Sequence, residues 1–218
     1  ILTKSAVVIS PSQYFKKIIH DKYNIKLSMI FVSPSGGVNS SIFYPQNMTQ
    51  VNESIRFGYI GRVEEAKGFF DLLSAYVELL KSHKNVSLTI IGSGSGYEAA
   101  QKISKKIESI ELCHGLPQAK LAEQYSSFDY LVFPSHHESL GLVPIEAMMC
   151  GTPVISSTIG ATSDYIRDGL TSLSFAPGNR VELLKSLNKT FLIGPEKYEE
   201  LASLGIRIAQ EYESKKVV

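Results

Sequence analysis

The feature that most constrains the fold is a regular alternation beginning at residue 55. Short apolar runs over residues 55–60, 86–91, 110–113, 130–133, 153–156 and 171–175 read as strands. Between them, apolar residues at helical spacing mark residues 67–82, 96–108, 117–128 and 143–150, with a short turn near 161–167. In the first helix Phe69, Leu72, Leu73, Tyr76, Val77 and Leu80 form one stripe. Strands that are apolar along their whole length need cover on both faces, and strand–helix repetition makes their pairing parallel. The expected fold class is therefore α/β: a parallel sheet with helices on both faces. Two further helices, over 180–191 and 195–214, close the chain.

Upstream, residues 6–9 and 28–32 read as strands flanking a helix over 13–23, whose Phe15, Ile18 and Ile19 share a face. Residues 33–54 are rich in Pro, Gly, Ser and Asn. A connection of that length inside a domain is functional or interdomain more often than not, and a boundary is expected there. The formal net charge is +1, which offers no field to attract nucleic acid. No apolar run approaches the roughly 18–20 residues of a membrane span. Cys113 and Cys150 lie in apolar contexts, fitting reduced thiols and a cytoplasmic compartment. The Asn-x-Ser/Thr sequons at Asn39, Asn47, Asn52, Asn85 and Asn188 are read as chance. The start at Ile1 reads as an internal excerpt.

Ligands of open α/β sheets bind beyond the carboxyl ends of the strands, so the loops after Ile60, Ile91, Cys113, Phe133, Ser156 and Val32 are the candidates. The stretch after Phe133 is the richest. Pro134 to Gly151 holds a polar loop and a short helix with Pro144 in its first turn, where a missing N–H costs nothing. Glu138 lies in the loop and Glu146 in the helix's expected first turn. Gly141 and the helix start at Leu142 and Val143 offer backbone N–H groups to an anion. Carboxylates suit sugar hydroxyls and amides suit phosphate. The competing reading makes Glu138 a solvated loop charge and Glu146 a partner of the helix dipole.

After Ile60, Gly61 permits a tight turn, and Arg62 and Lys67 stand near a helix start, the unfavourable end for cations unless an anion is shared. Fork and point charge together suit diphosphate. The alternative is that Arg62 pairs with Glu64 or Glu65. Gly92-Ser93-Gly94-Ser95-Gly96 superficially resembles a dinucleotide fingerprint, but the acidic residue expected about 20 positions later has only Glu111, inside a strand. A turn close to a bound base fits better, with Leu116 bordering the same cleft. Adjacent His136 and His137 cannot face one ligand together, so no metal site is expected. No Asp-x-Asp occurs to bridge a metal to diphosphate.

Together, the Gly-Arg…Lys-Gly turn at 61–68, the Glu-x₇-Glu block at 138–146 and the Gly-Thr-Pro-Val strand entry at 151–154 resemble the C-terminal donor-binding domain of retaining GT-B glycosyltransferases of family 4. The loop from Pro34 to Pro45 resembles that family's interdomain junction, with Asn39 where Asp is usual. The resemblance runs from about Ala6 to about Ser214. It implies a Rossmann-like domain over 41–218, with 1–40 the tail of an N-terminal acceptor domain and the junction. It implies that Arg62 and Lys67 hold the donor diphosphate and that Glu138 faces the transferred sugar. Gly61 and the Gly141, Leu142 and Val143 amides would line the donor site, Glu146 would accept from the ribose, and Gly92 and Leu116 would border the base. The implied reaction is metal-free, retaining transfer of a hexose from a UDP- or GDP-linked sugar, without a cofactor. The acceptor is a glycan or lipid-linked molecule, reached through the N-terminal domain. Membrane association is an option for the full-length protein, at the inner face. Asp164 stands where Glu is frequent, and no role is assigned to it. Two other readings are a sugar-nucleotide epimerase of the same fold and a non-catalytic nucleotide-binding module.

Overall fold

A computed structural model describes residues 7–34, 37–46 and 54–216. Two parallel sheets are present. The small one pairs β1 (Val8–Ser10) with β2 (Ile30–Val32), joined by helix α1 (Gln13–Tyr23). The large one contains β3 (Ile55–Ile60), β4 (Val86–Ile91), β5 (Ile110–Cys113), β6 (Tyr130–Phe133), β7 (Val154–Ser157) and β8 (Ser172–Phe175), in the spatial order β5-β4-β3-β6-β7-β8. The expected strands of this sheet are all present, the last two each starting one residue later than read. The expected strand over 28–32 is shorter, because Leu27–Met29 forms a 3-10 turn.

Strand order reverses between β3 and β6. From there β4 and β5 extend one way, β7 and β8 the other, which opens a crevice at the carboxyl ends of β3 and β6. Successive residues feed opposite faces, as strand geometry requires. Phe57, Tyr59, Leu88, Ile90, Tyr130, Val132 and Ile155 enter one core. Ile60, Ile91, Leu131, Phe133 and Val154 enter the other. The first is covered by α2 (Phe69–Leu79), α3 (Tyr97–Ser104) and α6 (Arg180–Lys189); the second by α4 (Gln118–Ser127) and α5 (Leu142–Met149), with α7 (Pro195–Ala209) packed on α5. Val38 and Phe43 join the second core, and Val38 bridges to Glu213.

Four helix starts shift by one or two residues from the reading, and two of these shifts affect site residues. Lys67 does not open α2: it ends a 3-10 turn over Glu65–Lys67, Gly68 follows with φ 64°, and α2 begins at Phe69. A β-carbon at Gly68 would overlap the Pro134 carbonyl oxygen, so glycine both reverses the chain and lets two loops touch. Helix α5 starts at Leu142, which puts Glu146 in its second turn. The first-turn dipole explanation for Glu146 therefore lapses. Of the sequons, Asn47 and Asn52 lie outside the described residues.

Candidate functional site

The sequence-selected residues follow the strand ends across the sheet: Leu116 beyond β5, Gly92 beyond β4, Gly61 to Lys67 beyond β3, and Glu138 to Glu146 beyond β6. Backbone bonds tie these loops into one rim. Gly61 N–H donates to Ile91 O, Val63 N–H to Ser93 O, Gly96 N–H to Val63 O, and Gly92 N–H to Cys113 O. His136 N–H reaches Ala66 O, so the β3 and β6 loops are bonded across the crevice beside the Gly68–Pro134 contact.

That docking brings Lys67 and Glu138 together. Lys67 Nζ lies 2.9 Å from Glu138 Oε2, in a pair whose side chains are only 21% and 15% exposed. Glu138 Oε1 accepts from the Ser139 N–H. Arg62 meets Glu64 at 2.8 Å on the surface, its side chain 64% exposed, as the alternative reading of that residue anticipated. Tyr59 supports the turn from below, its hydroxyl donating to Arg62 O at 2.6 Å.

Beside Glu138, the loop runs into α5 through Gly141, at φ 76°. The buried Tyr165 hydroxyl is shared between the carbonyls of Leu140 and Gly141, at 3.0 and 2.8 Å, and leaves no room for a β-carbon on Gly141. No side chain caps α5, so the N–H groups of its first turn keep their capacity for an external acceptor. Glu138, Ser139, Leu140, Gly141, Leu142 and Val143 line a cavity of 340 Å³ floored by Phe133. A second cavity, of 410 Å³, lies where Lys67, Glu138 and Gly160 face Tyr14, Phe15 and Ile18 of α1. Gly92 and Leu116 line neither cavity.

Glu146 occupies a different environment. Its carboxylate accepts from the Tyr125 hydroxyl at 2.7 Å. Burial pushes its pKa up, and the Tyr125 hydrogen bond partly offsets this. Nearby, burial pushes the Cys150 thiol up to about 12.

Three contacts were not read from the sequence. Asp164 accepts from the N–H groups of Gln13 and Tyr14, at 2.8 and 3.5 Å, and so caps α1 from the loop after β7. The His136 ring bonds Asp71 at 2.6 Å, and Arg180 meets the other oxygen of Asp71 at 2.7 Å. Tyr125 is the third; a buried tyrosine in a helix needs a hydroxyl partner, but its identity is not legible locally. Among the described residues no cluster of three or more His, Cys, Asp or Glu could hold a metal ion. No described helix is long and apolar enough to cross a membrane.

Known proteins resemble this chain in sequence and in fold. The chain is 30% identical over 164 residues to D-inositol 3-phosphate glycosyltransferase of Segniliparus rotundus, a match covering 71% of this chain and 36% of that protein. It spans about a third of the length of the curated relatives it matches. Sucrose-phosphate synthase from Thermosynechococcus elongatus superposes with a TM-score of 0.80 at 23% identity, over 97% of this chain and 55% of that one. Anabaena HepE, solved in complex with UDP, superposes with a TM-score of 0.81 at 18% identity, over 98% and 61%. At these identities the structural matches speak for the GT-B fold alone. The model of the glycosyl transferases group 1 family matches residues 43–206, and the chain belongs to that family.

Proposed function

We propose that this chain is the donor-binding part of a retaining, metal-independent glycosyltransferase that moves a hexose from a UDP- or GDP-linked sugar to a glycan or lipid-linked acceptor, in polysaccharide or lipopolysaccharide biosynthesis. The observation that carries this reading is the Lys67–Glu138 pair at the sheet's reversal point, beside the start of α5 that no side chain caps. A cation, a carboxylate and free amides within one crevice are what a sugar diphosphate requires. The similarity to D-inositol 3-phosphate glycosyltransferase supports group transfer, and the UDP complex of HepE supports a nucleotide ligand.

In this scheme Lys67, Arg62 and the Leu142 and Val143 amides stabilise negative charge developing on the leaving diphosphate. The diphosphate competes with Glu138 for Lys67 and with Glu64 for Arg62. Glu138, released by Lys67 when the donor binds and still held by the Ser139 amide, orients the transferred sugar. The acceptor hydroxyl attacks on the face the leaving oxygen departs from and gives its proton to that phosphate oxygen, so no separate base is assigned. Glu146 accepts from the ribose, while Gly61, Gly92 and Leu116 border the nucleotide. Residues 1–40 are the tail of an acceptor domain with its junction, and residues 41–218 are the donor domain. The full-length protein works in the cytoplasm, at the inner face of the membrane if its acceptor is lipid-linked.

A melting scan of the 218-residue chain with millimolar UDP, GDP and ADP tests the reading. One of them raises the melting temperature; no shift with any of the three contradicts nucleotide binding. Identification of the bound base by crystallography follows directly. Robust transfer by this chain alone contradicts the assignment of acceptor groups to another domain.

A further inference from the structure

The face of α5 that is not fully buried consists of Leu142, Val143 and Glu146. Residues three and four apart on a helix are neighbours, so Glu146 continues the strip that leads down from the uncapped amides. Its setting is unusual for a structural carboxylate. No Lys, Arg or His among the described residues pairs with it, and Tyr125 is its single hydrogen-bond partner, at Oε2. Oε1 makes no hydrogen bond within the described chain. A half-buried carboxylate without a cation is costly for a fold to keep, which points to use by a ligand.

Tyr125 is built to hold that carboxylate. It is fully buried on α4, packed edge-on against Phe43 at 5.9 Å, and its backbone carbonyl accepts from the Thr152 hydroxyl at 2.6 Å. The Thr152 bond ties α4 to the turn that ends α5. The phenol therefore has a fixed origin, and its hydroxyl occupies one carboxylate oxygen while leaving the other open. We propose that Tyr125 is a positioning residue for nucleotide recognition: it holds Glu146 so that the carboxylate accepts from the donor ribose hydroxyls and selects ribo- over dideoxyribonucleotides. This rests on the ribose role proposed for Glu146.

Calorimetry on the 218-residue chain tests it, using UDP or GDP, whichever binds tighter, and its 2′,3′-dideoxy counterpart. The wild type prefers the ribonucleotide; Glu146→Gln reduces that preference by roughly tenfold, the size of a charge-assisted hydrogen bond. Tyr125→Phe reduces it by about three- to tenfold, leaves dideoxynucleotide affinity unchanged, and has no further effect in a Glu146→Gln background. A general packing defect would instead weaken both nucleotides and add to Glu146→Gln. If Glu146→Gln lowers the preference and Tyr125→Phe does not, the positioning role is overturned while the ribose site stands. If Glu146→Gln leaves the preference intact, the ribose assignment itself fails. Should Tyr125→Phe not fold, 3-fluorotyrosine at position 125 keeps the ring and makes the hydroxyl a stronger donor; an unchanged ribonucleotide preference then overturns the proposal.

Discussion

Glu138 and Glu146 belong to one loop-and-helix stretch, yet their surroundings are opposite. Glu138 sits in a loop, held by a lysine from the neighbouring strand end and by an adjacent amide. Glu146 sits within a helix, faces no cation among the described residues, and is held by one phenol from the helix beside it. The first pair depends on two loops meeting; the second depends on helix packing alone. In a sugar nucleotide the diphosphate and sugar require charge that can be exchanged on binding, whereas the ribose requires an acceptor that stays in place. The two environments match these two demands.

Separating the loops breaks the first environment and spares the second. Gly68→Ala places a β-carbon against the Pro134 carbonyl at a left-handed φ. It is expected to cost about 2–3 kcal/mol in chemical denaturation. Nucleoside diphosphate affinity falls with it, while the preference for ribo- over dideoxynucleotide persists in the folded fraction. Loss of both would show that the two carboxylates are not independent.

Neutralising each carboxylate sharpens the contrast through opposite signs. Glu138→Gln frees Lys67 from its partner, so UDP or GDP binds about three- to tenfold tighter, since one charge-assisted bond is no longer exchanged on binding. Transfer by the full-length enzyme is nevertheless lost. Glu146→Gln weakens the same nucleotides in the same titration.

A smaller effect appears without ligand. The Glu146 carboxyl has its pKa raised in the folded chain. Its contribution to stability is thus fully present below the unfolded value and is lost as pH rises through the folded one. Glu146→Gln abolishes that loss. Its melting temperature relative to wild type should therefore climb as pH rises above the ordinary carboxylate value of about 4, by about 2–4 °C for each kcal/mol. A pH-independent difference would mean that the carboxyl is as well solvated folded as unfolded.

The large sheet was legible because strands buried on both faces must be apolar throughout, and the runs around Tyr59, Ile90 and Val132 are. The rim of the site followed, since parallel strands end on one side and their loops are then known. The Lys67–Glu138 contact, across 71 positions, was legible only as membership of that rim. What escaped depended on tertiary meetings without a local pattern. The start of α2 was misplaced because Gly68, which looks tolerable inside a helix, is needed where Pro134 passes. Asp164 received no role because its partners are backbone amides of a helix 150 residues earlier. The phenol on Glu146 comes from a different helix. The small sheet offered a weaker pattern: among the described residues its buried core is Val8, Ile25 and Ile30, and Ile9 and Phe31, paired across its strands, are 70% and 58% exposed.

In the proposed function the crevice between β3 and β6 grips a nucleoside diphosphate through protein cations. Titration calorimetry of UDP and GDP into the wild-type chain, Arg62→Ala and Lys67→Ala tests it most directly. Each charge-assisted bond is worth roughly 1.5–3 kcal/mol, so the tighter-binding nucleotide should lose about tenfold or more in affinity in both variants. Equal affinities in all three proteins would contradict the claim.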